Sequence, residues 1–320
     1  MMQFRAALAV TGVLILATPA AADEWPSRPV RMVNTFAAGG TADVLTRLVA
    51  DQLSATFKQQ FFVETRAGAA GTIGVKSVVD SAPDGYNFAL TNITHLVLAP
   101  ISNPKLGYDP KKDLTNIGYV AGSPIVLSVA ASGNIKTLQD FIEQGRAGKA
   151  LTYSSSGVGS SGQLVAEDFA RKAGIKIEHV PYKGASQGLT DLAGGHIVFS
   201  AQTVSSTAGL VRGGQLRAIA HSNATRIADF PEVPTLKESG YDVVATTWFS
   251  ISGPAGLPKD IVEKVNHEIA RAVSNPEAQA RLQRDGLIAH IMSVEELSKY
   301  IDAETARWRP VLDQLGLIGK

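Results

Sequence analysis

The sequence contains no cysteine. That excludes disulfides and thiolate-held metals, and it leaves no thiol to acylate, so a lipoprotein anchor is not expected. Charge is sparse: Asp, Glu, Lys and Arg make up 18% of the 320 residues, at 30 Lys+Arg against 29 Asp+Glu. With no run of like charge, nucleic acid is not an expected partner. The six histidines, His95, His179, His196, His221, His267 and His290, show no i, i+4 pairing and no H-E-x-x-H. Neither a metal nor a cofactor is expected. A G-x-S-x-G nucleophile elbow is also missing, Gly159-Ser160-Ser161-Gly162 being one residue short of it. The sustained apolar run at the start, Ala6 to Ala17, is too short to cross a bilayer comfortably. It follows Arg5 and precedes Ala20-Ala21-Ala22, the layout of a secretory signal (1–22) cleaved after Ala22. Losing Arg5 leaves 29 basic against 29 acidic residues, a formally neutral exported chain of the kind a periplasm holds.

Glycine is abundant, at 30 residues, and falls at strand-to-helix turns. Val30 to Phe36 reads as a short strand. Ala37-Ala38-Gly39-Gly40 is a small-residue turn, Thr41 is placed to cap a helix from Ala42, and Asp43 suits that helix's first turn. A strand feeding such a turn and then a helix start presents bare N–H groups, which makes an anion site. Strands at 61–64 and 86–91, with a helix at 72–81 between them, continue a parallel α/β pattern. Two further strands are expected at 117–121 and 125–130, either side of Gly122-Ser123-Pro124. A second unit repeats the plan: strands at 151–154, 177–180, 197–201 and 216–221 alternate with helices. The chain recrosses at 245–252 and ends in helices, the last capped by Ser293. The expected fold class is α/β with two domains, 23–125 plus 246–320 and 126–245. Each is a mixed sheet flanked by helices, with a ligand cleft between them.

Gly157-Val158-Gly159-Ser160-Ser161-Gly162 matches G-x-G-x-x-G between a strand and a helix. Three readings stand: a purely structural turn, a dinucleotide cradle, and a carboxylate site built from hydroxyls and backbone N–H groups. The flanking serines, Ser155, Ser156, Ser160 and Ser161, and the scarcity of NAD outside the cytoplasm favour the carboxylate. Facing Gly turns, one per domain, would hold a carboxylate between them. Lys183, in a Pro-Tyr-Lys-Gly stretch, is either a carboxylate partner or a solvated surface charge. His95 lies just past a strand end, a cleft position. Trp248-Phe249, at the recrossing, either walls the cleft or fills core.

The motifs WPSRPVRMVNTFAAGGTAD, VETRAGAAGTIG, APDGYNFAL, YSSSGVGSSGQL, VPYKG, GGQLRAIA, FPEVPTLKESGY and W-x(5)-PAGLP resemble, in order, one family across the whole mature chain. It is the Bug, or TctC-like, solute receptors of tripartite tricarboxylate transporters. The resemblance implies a type II-like two-domain periplasmic-binding fold that closes on a ligand. It implies a receptor that delivers its ligand to a membrane permease of one large and one small subunit; the expected protein is a monomer and not an enzyme. It places the carboxylate against Phe36, Ala37, Ala38, Gly39, Gly40, Thr41 and Asp43, and against Ser156, Gly157, Gly159, Ser160 and Ser161. The family usually has Pro where Thr35 stands, His where Gln163 stands and Asp near Gln202. Losing that acid removes a partner for a ligand ammonium. The expected ligand is therefore a carboxylate without an α-amino group, such as an aliphatic or a terephthalate-like aromatic dicarboxylate. Asn92, Thr94, Gln202, Phe36 and Trp248 would shape its far end. Two alternatives remain open: a sensor that presents ligand to a membrane signalling partner, and a secreted hydrolase.

Overall fold

The computed structural model describes residues 24–319. The signal segment 1–22 and its cleavage after Ala22 lie outside the described residues. Along the chain run β1 (Val30–Asn34), α1 (Thr41–Phe57), β2 (Phe61–Thr65), α2 (Thr72–Val79), β3 (Asn87–Asn92) and α3 (Ala99–Ser102). Then come β4 (Leu114–Ala130), α4 (Leu138–Arg146), β5 (Thr152–Ser155), α5 (Ser161–Ala173), β6 (Glu178–Pro181) and α6 (Ala185–Ala193). β7 (Phe199–Thr203), α7 (Val204–Arg212), β8 (Leu216–His221) and β9 (Thr246–Pro254) follow, and α8 (Lys259–Ser274), α9 (Pro276–Arg284) and α10 (Val294–Gln314) end the chain.

β4 is continuous through Gly122-Ser123-Pro124, where the sequence suggests a break between two strands. Its first part, up to Pro124, pairs antiparallel with β9, and from Ile125 on it pairs with β7 and β8. The proline, which has no N–H to give a ladder, falls where the strand changes partners. Gly122 is also required by packing: a Cβ there would lie 2.6 Å from the Tyr119 hydroxyl. β4 thus links two half-sheets, β2-β1-β3-β9-β4 in one lobe and β8-β4-β7-β5-β6 in the other.

Parallel strands covered on both faces read as near-continuous apolar runs, and β1 and β3 do so. α1 buries Leu45, Val49 and Leu53 at i, i+4 spacing against that sheet, alongside α8 with Val265 and Ile269. Each such side chain contributes roughly 1.5–3 kcal/mol by leaving water. In the second lobe Phe141, Tyr153, Phe169 and Phe199 form an aromatic core under α4 and α5. α10 starts at a Ser293–Glu296 capping box, as its sequence suggests.

Strand alternation settles the aromatic pair at the recrossing. Successive β9 side chains face opposite ways, so Trp248 and Phe249 part company. Trp248 is fully buried on the α10 side, with Tyr119 and Tyr300 against its ring and its indole N–H donated to Glu304 Oε2 at 3.1 Å. It is a core residue and does not wall the cleft. Phe249 turns the other way, towards the junction of the lobes.

Candidate ligand-binding site

At that junction is a small cavity of about 40 Å³. Its walls come from both lobes: Phe36, Ala37, Gly40 and Thr41 from the first turn, Asn92 at the end of β3 and Thr94 just after it, and Ser156, Ser160 and Ser161 from the Gly/Ser turn. Gln202 and Thr203 end β7 at the cavity, and Ala185 opens α6 there. Among the described residues no charged side chain lines it.

The cavity sits on helix starts. The first amides of a helix lack an intrahelical partner, and the N-cap of α1 is Gly40, which offers no side chain. Thr41 is the first residue of the helix and not its cap. Its hydroxyl crosses the cleft to Thr203 Oγ1 at 2.7 Å and also bonds Ser205. At α5 the cap is Ser160, whose Oγ accepts from Gln163 N, which leaves the Ser161 and Gly162 amides uncapped. Each helix start favours an anion by about 0.3–1 kcal/mol when exposed and up to ~2 when partly buried.

Two buried polar groups on the walls have no hydrogen-bond partner among the described residues: Gln202 Nε2 and Thr94 Oγ1, on residues 2% and 1% exposed. The Gln202 amide is oriented by Ser156 Oγ, which donates to Oε1 at 2.7 Å and frees the nitrogen as a donor. Ser161 Oγ lies 2.6 Å from Thr247 Oγ1 on β9.

Several residues expected at the site do other work. Asp43 is buried, and its carboxylate accepts from Gly39 N at 3.1 Å and pairs with Arg47 at 3.1 Å. It shapes the first turn and is committed within the protein. Gly39 and Ala38 are exposed on the turn's outer side, where Ala38 O accepts from Ser186 Oγ. Lys183 is exposed, and its backbone carbonyl accepts from Ala37 N at 3.2 Å. Gly157 is buried against Ala70 of the other lobe, and a Cβ there would lie 3.1 Å from Ala70 N. Gly159 and Gln163 belong to a second, neighbouring cavity, where Gln163 Oε1 accepts from Gly159 N at 2.7 Å. The hydroxyl that Thr35 brings near the first turn goes to Leu90 O at 2.9 Å.

His95 is not in the cleft. It is fully buried behind Phe36, accepting from Asn92 N on Nδ1 and facing Ala70 O at 3.0 Å with Nε2. Burial pushes its pKa down to about 4, so it is neutral and ties the end of β3 to the loop before α2. His179 plays a similar part beneath the Gly/Ser turn, 2.6 Å from Ser155 Oγ and with its pKa lowered to about 4 by burial. Among the described residues no group of three or more His, Asp or Glu side chains is placed to hold a metal ion.

Thr247 and Ala185 line the cavity without having been singled out by sequence, and of the Trp248-Phe249 pair it is Phe249 that reaches the wall. Period-two alternation along β9 points to Thr247, once it is known that Phe249 and not Trp248 faces in. Ala185 carries no such signal.

The site is therefore a neutral cradle of amides and hydroxyls between two lobes. Residues 45–317 match the model of the tripartite tricarboxylate transporter family receptor, TctC. The chain belongs to that family. The receptor is 31% identical to the protein BugT of Bordetella pertussis over 316 residues, 97% of each chain. It resembles an R. palustris protein solved with adipate, at 31% identity and a TM-score of 0.89 over 93% of this chain and 100% of that one. It also resembles MatC from Rhodopseudomonas palustris with bound malate, at 26% identity and a TM-score of 0.85 over 90% and 100% of the two chains. The TctC receptor thus has the two-lobed fold of periplasmic binding proteins, and it is a solute receptor and not an enzyme. No described helix of it is long and apolar enough to cross a membrane.

Proposed function

We propose that this receptor captures a small dicarboxylate without an α-amino group, aliphatic or aromatic, and delivers it to a two-subunit membrane permease of the tripartite tricarboxylate type. It would do so as a monomer in the periplasm, after a signal is removed behind Ala22. The ligand's carboxylate lies between the starts of α1 and α5, taking hydrogen bonds from Gln202 Nε2, Thr94 Oγ1 and the amides around Thr41 and Ser161. The observation that carries this reading is the meeting, on one cavity, of two helix starts with amides left free, at Thr41 and at Ser161 and Gly162, and two unpartnered buried polar groups. Hydrogen bonds to a charged group contribute about 1.5–3 kcal/mol each. Several of them, with the helix starts, are of the size a micromolar complex requires, about 8 kcal/mol. The similar chains solved with adipate and malate point to the same ligand class.

The absence of a charged lining residue bears on the ligand. An α-ammonium would have no carboxylate to meet, because Asp43 is held by Gly39 and Arg47. The lobes, divided near residues 125–126 and 245–246, would open about β4 and β9. The bound acid would favour closure through contacts that exist only when the lobes meet. Calorimetry with succinate, adipate and terephthalate against aspartate and glutamate tests this. The expected result is heat from a plain diacid and none from the amino acids at equal concentration. Tighter binding of an amino acid would overturn the ligand assignment.

A further inference from the structure

The cavity at the helix starts is small. A water needs roughly 10–15 Å³ of such volume, so about 40 Å³ accommodates a carboxyl head and little more. Beside it lies a second cavity of about 260 Å³, and Ser160 belongs to the walls of both. This second space also lies between the lobes. α3 and the loop before α2 face the Gly/Ser turn across it, and the C-terminal segment closes one side. Leu98, Leu164, Leu312 and Leu317 give it an apolar floor, and its polar lining consists of hydroxyls and amides without a charge. Gly159 leaves that face of the turn uncrowded: a Cβ there would find its nearest side chain, Ser102 Oγ, 3.9 Å away. Gly159 N donates to Gln163 Oε1 at 2.7 Å on the same wall.

We infer that the second cavity is the subsite for the ligand's apolar body, and that the receptor selects long diacids over short ones. This rests on the carboxylate reading above. The acid head sits at the helix starts, the methylene chain or ring passes Ser160 onto the leucine floor, and the far carboxylate emerges at the solvent edge near Val158, which is 69% exposed. A short diacid fills only the first cavity and leaves the leucine floor wet. Each methylene buried is worth about four-fold in affinity.

Calorimetry with succinate, adipate and suberate on the wild type and on Ser102→Phe tests this. Ser102 faces Gly159 across the second cavity, so a phenyl ring there fills it without reaching the first. For the wild type, adipate is expected to bind about fifteen-fold more tightly than succinate, two methylenes' worth. In Ser102→Phe that advantage should vanish while succinate affinity stays within about two-fold. Ser102→Leu, a smaller filling, should give an intermediate loss, and unchanged melting of both unliganded variants would show that they fold. Equal binding of all three diacids by the wild type, or an equal loss of all three in the variants, would overturn the subsite alone. A wild type that binds no diacid at all would overturn the carboxylate reading together with it.

Discussion

Gln202 and Thr94 each bring a buried polar group to the cavity and leave it unpartnered. A buried polar group left without a partner costs about 1–3 kcal/mol, so a ligand acceptor within reach of these two is favoured. Gln202→Ala should weaken diacid binding by about ten- to a hundred-fold, the value of one hydrogen bond to a charged group. Gln202→Glu should abolish it, because two carboxylates would then face each other. Isothermal titration checks both, and unchanged affinity in Gln202→Ala would remove this residue from the site. Asp43 illustrates the opposite case: it looks like a ligand contact in the sequence, yet its carboxylate is spent on Gly39, Asn34 and Arg47. Sequence identifies a carboxylate at a helix start but not which N–H it already holds.

At the scale of elements, the lobes touch through backbone as much as through side chains. Ala37 N donates to Lys183 O, and Gly184 packs so closely that a Cβ would lie 2.8 Å from Ala37 Cβ. Gly184 is extended, with φ 171 and ψ 174, a conformation open to any residue. Gly184→Val should therefore leave the unliganded fold stable but block closure. Its melting temperature without ligand should match the wild type, while diacid affinity falls at least about ten-fold. Equal affinity in the variant would mean that the observed contact is not needed for binding. Much of this scaffold was legible: the turn before α1, the Gly/Ser turn before α5 and the helix starts follow from glycine, serine and apolar spacing. Three things were not. β4 runs through Gly122-Ser123-Pro124 because its partners change there, which depends on β7, β8 and β9, remote in sequence. Trp248 and Phe249 are equally apolar, and only the strand's facing separates core from cleft. Gly157 and Gly159 look alike in the sequence, yet only Gly157 is pressed against the opposite lobe.

At the scale of the whole molecule, protons act on folding and not on the site. His95, His179 and His221 are held neutral by burial, each with a pKa near 4 against an ordinary 6.5. Below pH 6.5 the unfolded chain takes up protons that the folded chain refuses until about pH 4. Stability is therefore full above that window and falls as pH drops through it. For His95, fully buried, the loss is on the order of 3 kcal/mol. Urea unfolding at pH 7.5 and pH 5 should show a lower midpoint at the acid value, and equal midpoints would contradict the burial of these rings. Affinity for a fully ionised diacid should be flat between about pH 6 and 8, because no titratable side chain lines the first cavity. The most direct measurement is a crystal structure of the receptor with adipate. The expected result places one carboxylate within about 3.2 Å of Gln202 Nε2 and of amides at the starts of α1 and α5. A carboxylate gripped instead by arginine or lysine side chains, or by a metal ion, would contradict it.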